Sequence, residues 1–184
     1  MTVSPQLDRR FREAAARERL VDLAYDVADS PVGELLLAAT EHGVCRVSFD
    51  PDPDLDELAQ TFGVRVLRVP SRLEGLQREL DEYFAGRRHA FDVPIDLRAT
   101  PFQETVLHEL ARVPFGRVET YGSLAAKIGK PRAARAVGGA LNRNPIAIVL
   151  PCHRVVGTNG SLVGYAGGLD RKAALLRLEG ALIS

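Results

Sequence analysis

Residues 121–145 read YGSLAAKIGKPRAARAVGGALNRNP. Thr120 stands just before this stretch as a capping residue, and helical periodicity runs from Tyr121 to Ile128. Gly129-Lys130-Pro131 breaks that helix, and a second is predicted from Arg132 to about Asn142. Helix, glycine-containing break and helix match the helix-turn-helix pattern, although many such pairs bind nothing. The second helix is unusual: Ala133, Ala134, Ala136, Gly138, Gly139 and Ala140 leave it little side chain. Two mid-helix glycines cost about 1 kcal/mol each relative to alanine, so something must come close to the backbone. Tight packing within the chain is one explanation. The other is a nucleic acid in a narrow groove, with Arg132, Arg135 and Arg143 supplying charge.

Working outward, Thr100 caps and Pro101 opens a helix predicted from Phe102 to about Arg112, and Pro114-Phe115-Gly116 is a turn. On the other side, the apolar run Ile146–Leu150 predicts a buried strand that meets Pro151, followed by Cys152, His153 and Arg154. Thr158-Asn159-Gly160 is a turn, and Gly164, Gly167 and Gly168 flank Tyr165 in a close-approach loop. Asp170 is predicted to cap a last helix that carries Leu175, Leu176 and Leu178, with Glu179 near its end.

The N-terminal half reads differently. An amphipathic helix or fraying extension over residues 5–20 precedes an antiparallel meander, with turns at Ser30–Gly33 and Glu41–Gly43 and strands at Leu35–Ala39 and Val44–Phe49. Asp54 is read as the cap of a helix Leu55–Phe62; a strand Val64–Val69 and a helix Arg72–Phe84 follow. The predicted fold is thus α/β (α+β). It has an extension over 1–20, a small antiparallel-sheet domain with helices over 21–96, and a mainly helical domain containing the helix-turn-helix over 97–184.

The chain has 184 residues, 46% apolar and 26% charged, which suits an ordinary soluble globular protein of one or two domains. No apolar run approaches the ~18 residues of a membrane span. The N-terminus lacks the apolar core of a secretory signal, so a cytoplasmic location and no membrane partner are expected. The net charge of zero hides an asymmetry. Residues 1–95 carry 12 basic and 18 acidic side chains; residues 96–184 carry 12 basic and 6 acidic. A basic half fits an anionic partner, or simply a solvated surface.

Two distant cysteines, Cys45 and Cys152, make no disulfide framework, and no C-x-x-C or H-E-x-x-H motif is present. A metal site from His42, Cys45 and His89 ranks below a core role for Cys45, because Cys45 falls inside an apolar strand pattern. Cys152 reads as a metal ligand, a nucleophile, a redox thiol or core filling. A reactive cysteine needs its thiolate, whose ordinary pKa is about 8.5. His153 is a candidate proton relay. On an extended strand, neighbours face opposite sides, so contact with Cys152 requires a bend or a bridging water. Glu179 is a candidate partner for the far imidazole nitrogen, completing an acid–histidine–thiol chain.

Together, "PCHRV" at 151–155, "RAVGGALNRNP" at 135–145 and "GYAGG" at 164–168 resemble the O6-alkylguanine-DNA alkyltransferases. The likeness extends from "PFQETVL" at 101 through "VPFGRVETYGSLAAKIG" to "KAALLRLEG", while residues 20–95 share only layout, "SPVG" and "DEYFAGRR". The resemblance implies a suicidal DNA repair protein without cofactor that binds duplex DNA through the minor groove, as a monomer or cooperatively along the DNA. The N-terminal domain lacks the cysteine and histidine set of relatives with structural zinc, so no metal is expected. The protein takes the alkyl group from guanine O6 onto Cys152, with His153 as base through a water and Glu179 orienting it. Asn144 is similar to the family's hinge asparagine. Tyr121 resembles the tyrosine that helps rotate the nucleotide, and Arg135 the arginine that fills the vacated stack. Ala133, Ala134 and Gly138, beside Arg132, would face the groove. Val155, Tyr165, Ala166 and Gly167 would line the base pocket, with the Cys152 and Val155 carbonyls accepting from the guanine amine.

Two positions depart from the pattern: Ala166 replaces a serine found in some relatives, and Leu107 a common tryptophan. Three other readings compete. A non-catalytic lesion binder of the alkyltransferase-like kind would lack the acceptor cysteine. A DNA-binding regulator would be blind to alkylation. A cysteine hydrolase would leave the glycine-rich helix unexplained.

Overall fold

A computed structural model of the protein describes residues 4–18, 20–49 and 55–181; the cap predicted at Asp54 lies outside the described residues. The chain divides into two compact units. The first holds the described residues up to Leu80 together with Val93–Asp96. The second holds Asp81–Asp92 and everything described from Leu97 onward.

In the first unit, helix α1 (Pro5–Arg17) precedes strands β1 (Leu23–Ala28), β2 (Leu35–Ala39) and β3 (Val44–Ser48). These three strands form the expected antiparallel meander. Helix α2 (Leu55–Phe62) then leads to β4 (Val66–Arg68), which pairs parallel to β1, giving the order β3-β2-β1-β4. The sheet is therefore mixed, and β4 is shorter than the strand predicted over Val64–Val69. The crossover through α2 is what a parallel return requires. Neighbours on β1 face opposite ways. Leu23 packs with Ala38, Cys45 and Leu58 of α2, whereas Ala24 packs with Val69 and with Ala15 of α1. A short 3-10 turn, Pro70–Arg72, precedes helix α3 (Glu74–Phe84), so the helix begins two residues later than its periodicity suggests.

The second unit begins with the end of α3 and continues through α4 (Pro101–Leu110), β5 (Glu119–Thr120), α5 (Tyr121–Lys127), α6 (Ala134–Asn142), β6 (Val155–Val156) and α7 (Leu169–Leu178). Both threonine caps form as the sequence predicts. Thr100 accepts from the Gln103 N–H, and Thr120 from that of Ser123. Val106, Leu110, Leu124, Val137 and Leu141 are buried, and the Gln103 amide binds the Arg143 carbonyl at 2.9 Å, fixing the end of α6. The helix-turn-helix is α5–α6, with Arg132 in the turn rather than in the second helix. β5 and β6 run parallel, pairing Glu119 with Val155 and Thr120 with Val156. That pairing holds the start of the helix-turn-helix beside the chain that leaves Cys152.

Two local expectations fail. Ile146–Leu150 is not a strand but a tight loop. Val149 N–H bonds the Ala147 carbonyl, Leu150 N–H bonds that of Ile146, and Ile148 takes φ 70°. Asn144 causes this shape: its Oδ1 accepts from Ile146 N–H at 3.1 Å, and its Nδ2 donates to the Leu150 carbonyl at 2.8 Å. One side chain thus clasps both ends of the run. Asp170 is not a cap either; Gly168, at φ 87°, precedes the helix, and Asp170 falls in its first turn.

Candidate active site

Cys152, His153 and Arg154 form a 3-10 turn closed by Arg154 N–H to the Pro151 carbonyl at 2.9 Å. The turn supplies the bend that an extended strand would lack. All three side chains are buried, His153 completely. The Asn144 amide that clasps the preceding loop also lies 3.1 Å from the Cys152 sulfur. Burial pushes the thiol above its ordinary pKa; the Asn144 N–H and the Lys172 charge pull it partly back. At rest Cys152 is a protonated thiol.

Glu179 meets His153 as the sequence suggests, with Nε2 to Oε1 at 2.8 Å. Burial alone would raise the Glu179 pKa, but hydrogen bonds from His153 and Arg154 outweigh it and bring it down to about 2. Burial also lowers the His153 pKa, so the imidazole is neutral near pH 7. A neutral ring facing an ionised carboxylate must carry its proton on Nε2. Nδ1 is then a bare acceptor, and it is buried without a protein hydrogen-bond partner.

Sequence reasoning missed two charged residues here. Arg154 forks onto the same carboxylate, Nε to Oε2 at 2.8 Å and one amino group to Oε1 at 2.9 Å, and donates to the Val113 carbonyl at 2.6 Å. Lys172 is fully buried, donating to the carbonyls of Val155 at 2.6 Å and Val163 at 2.9 Å. Burial lowers its pKa to about 8, opposed by the nearby Cys152. A signal existed: Lys172, Leu175, Leu176 and Glu179 fall at i, i+3, i+4 and i+7, one helical face.

Tyr121 donates to the carbonyls of Val163 at 3.0 Å and Gly164 at 3.1 Å. Burial raises its pKa and that of Tyr165, and in both a negative charge on Cys152, once it ionises, adds to the effect. The Lys172 Nζ lies 5.9 Å from the centroid of the Tyr121 ring and 6.0 Å from that of Tyr165. The Cys152 carbonyl accepts from Val155 N–H and the Val155 carbonyl from Lys172, leaving each one lone pair for a ligand. Gly167 is buried and Ala166 exposed. Arg132 and Arg135 are exposed, and Ala133, Ala134 and Gly138 are half-buried. A methyl group on Gly138 would meet the Tyr121 ring at an ordinary 3.7 Å, and one on Gly139 only the end of the Arg143 side chain. The chain's own packing does not demand the glycine pair. Among the described residues, no cluster of His, Cys, Asp or Glu could hold a metal, and no helix is long and apolar enough to cross a membrane.

Comparison with known proteins adds to this geometry. Residues 101–181 match the family described as "6-O-methylguanine DNA methyltransferase, DNA binding domain", and residues 23–97 its "ribonuclease-like domain". A methylated-DNA–protein-cysteine methyltransferase of Methanosarcina acetivorans is 44% identical over 157 residues, spanning 85% of this chain and 98% of that protein. The constitutive Bacillus subtilis protein of the same name is 40% identical over 84% of this chain and 94% of its own length. The crystal structure of Mycobacterium tuberculosis OGT in complex with DNA superposes with a TM-score of 0.77 at 41% identity, covering 85% of this chain and 92% of that one.

Proposed function

The chain belongs to the 6-O-methylguanine DNA methyltransferase family, and from that premise we propose that it repairs O6-alkylguanine in duplex DNA by moving the alkyl group irreversibly onto Cys152. One observation carries this assignment to the residues. A buried thiol bonded to Asn144 stands next in sequence to an imidazole whose Nε2–H is fixed on Glu179 and whose Nδ1 is left to accept.

Nδ1 of His153 takes the Cys152 proton through a water. The thiolate attacks the alkyl carbon, a C–S bond forms, and the bond from that carbon to O6 breaks. The electron pair leaves on O6, and protonation of the ring returns ordinary guanine. Lys172 and the Asn144 amide stabilise the thiolate as it forms. Glu179 balances the imidazolium. The thioether is stable and nothing regenerates the thiol, so each molecule acts once, without a cofactor.

Inside a stacked duplex, O6 is out of reach, so the nucleotide must rotate out at a cost of a few kcal/mol. Arg135 fills the vacated stack. Ala133, Ala134 and Gly138, with Arg132 beside them, lie in the minor groove, where a bare backbone fits closely. The unneeded glycine pair favours this reading over internal packing. Tyr121 crowds the adjacent phosphate. Val155, Tyr165, Ala166 and Gly167 wall the base pocket, and Ala166 offers only its N–H to O6. Residues 97–184 act as the DNA-binding and alkyl-acceptor domain of a cytoplasmic monomer.

Incubating the protein with a duplex containing O6-methylguanine should add one methyl to the intact mass, on Cys152, and none in Cys152→Ala. Lesion-selective binding without a mass gain would instead identify a non-catalytic lesion binder.

A further inference from the structure

The carboxylate of Glu179 is crowded. Its Oε2 accepts from Arg154 Nε at 2.8 Å and from Gly116 N–H at 3.3 Å. Its Oε1 accepts from three donors: His153 at 2.8 Å, Arg154 at 2.9 Å and the phenol of Tyr83 at 2.7 Å. Arg154 and Gly116 suffice to hold a carboxylate in place. The Tyr83 hydroxyl differs from them because it is neutral and sits on the same oxygen as the imidazole.

Tyr83 is fixed for this contact. It is wholly buried, with its ring packed edge-on to Phe84 and Phe115, at centroid distances of 5.3 and 6.0 Å, and tilted against Phe91 at 5.5 Å. The aromatic cage leaves the hydroxyl one direction, and burial keeps the phenol protonated far above its ordinary range. The residue also lies outside the 101–181 segment that contains Cys152, His153 and Glu179.

We propose that Tyr83 is a positioning residue for the alkyl transfer, sharing Oε1 with His153 and thereby setting how strongly Glu179 draws on the imidazole Nε2–H. Donors on one oxygen compete for its charge. Removing the phenol strengthens the bond to His153 and makes the imidazole more basic; a more acidic phenol does the reverse. Among the described residues, the charged groups that act on His153 are Glu179, Arg154 and Lys172. All three stay in place in either variant, so the change is assignable to position 83. The inference rests on the repair reading for its kinetic consequence but not for its spectroscopic one.

The test uses full-length protein with labelled histidine, comparing wild type, Tyr83→Phe and protein carrying 3-fluorotyrosine at position 83. Fluorotyrosine is nearly the same size and a stronger donor. In Tyr83→Phe the His153 Nε2–H proton resonance should move downfield, and the imidazole midpoint should rise by about half a pH unit, a roughly threefold change in proton affinity. The acid limb of the methyl-transfer rate should follow it. Fluorotyrosine should move all three the other way, in a protein whose packing is intact. If the resonance and midpoint stay fixed in both variants, or move in the same direction, Tyr83 only packs and the inference is wrong, even where Tyr83→Phe lowers the melting temperature. A wild-type protein that accepts no methyl would defeat the repair reading alone; the resonance and midpoint would still decide the role of Tyr83.

Discussion

Cys45 and Cys152 are similarly withdrawn from water, at 1% and 7% exposure, and neither forms a disulfide, yet they sit on different elements of the fold. Cys45 sits on a strand among Leu23, Ala38 and Leu58. Cys152 sits on a tight turn, within reach of an amide and near a buried ammonium, beside an imidazole. Burial alone therefore does not mark a cysteine as an acceptor. What marks Cys152 out is the set of polar groups buried alongside its sulfur, since each such group is costly to bury without a partner.

The largest way to break the comparison is to exchange the two losses. Cys152→Ala should abolish methyl uptake in single-turnover assays, a fall of more than about a thousandfold. Cys45→Ala should leave uptake within about twofold, while lowering stability by roughly 1–2 kcal/mol in a denaturant titration. Glu179→Gln comes next. It leaves Arg154 buried against a neutral amide and unfixes the imidazole. Transfer should fall about a hundredfold, with a stability loss of ~3 kcal/mol. Asn144→Ala removes the clasp on Ile146–Leu150 together with the bond to sulfur. We expect roughly tenfold slower transfer and about 2 kcal/mol less stability, from the same two assays.

The smallest effect lies in the pH dependence. His153 is held below its ordinary pKa, so the unfolded chain binds more protons than the folded one as pH falls through about 6.5. Glu179, lowered from 4.5 to about 2, contributes stability that is complete above 4.5 and lost as pH falls towards 2. Both act in the same sense, so denaturant midpoints should decline from pH 7 to 3. The decline below pH 4.5 should be shallower in Glu179→Gln.

Much of the second unit was legible because its signals are local. Thr100 and Thr120 are caps whose partners lie three residues on, and Gly129-Lys130-Pro131 is a break that no helix tolerates easily. Cys152, His153 and Glu179 were picked out by chemistry and resemblance, and the His153–Glu179 bond formed. The strand expected at Ile146–Leu150 failed because an apolar run fits a strand or a buried loop equally well; the deciding group, the Asn144 side chain, lies outside the run. Arg154 and Tyr83 were invisible for another reason, and Lys172 showed only as a position on the helical face that carries Glu179. A charged residue in a single sequence reads as solvated until its partner is known, and Glu179 lies 96 positions from Tyr83. In the first unit, β4 turned out parallel because register depends on contacts that no short window contains.

Gly116 shows how little freedom this site has: at φ 72°, a side chain there would come within 2.9 Å of the Glu179 carbonyl. The raised pKa of the Cys152 thiol has a consequence of a different kind, one of time. A reagent used once passes nearly its whole existence waiting. Kept protonated and shielded, its sulfur is a poor target for peroxides and stray electrophiles, which attack the thiolate. Storage, as much as speed, is what such a burial secures: the molecule keeps its single reaction until a damaged base arrives.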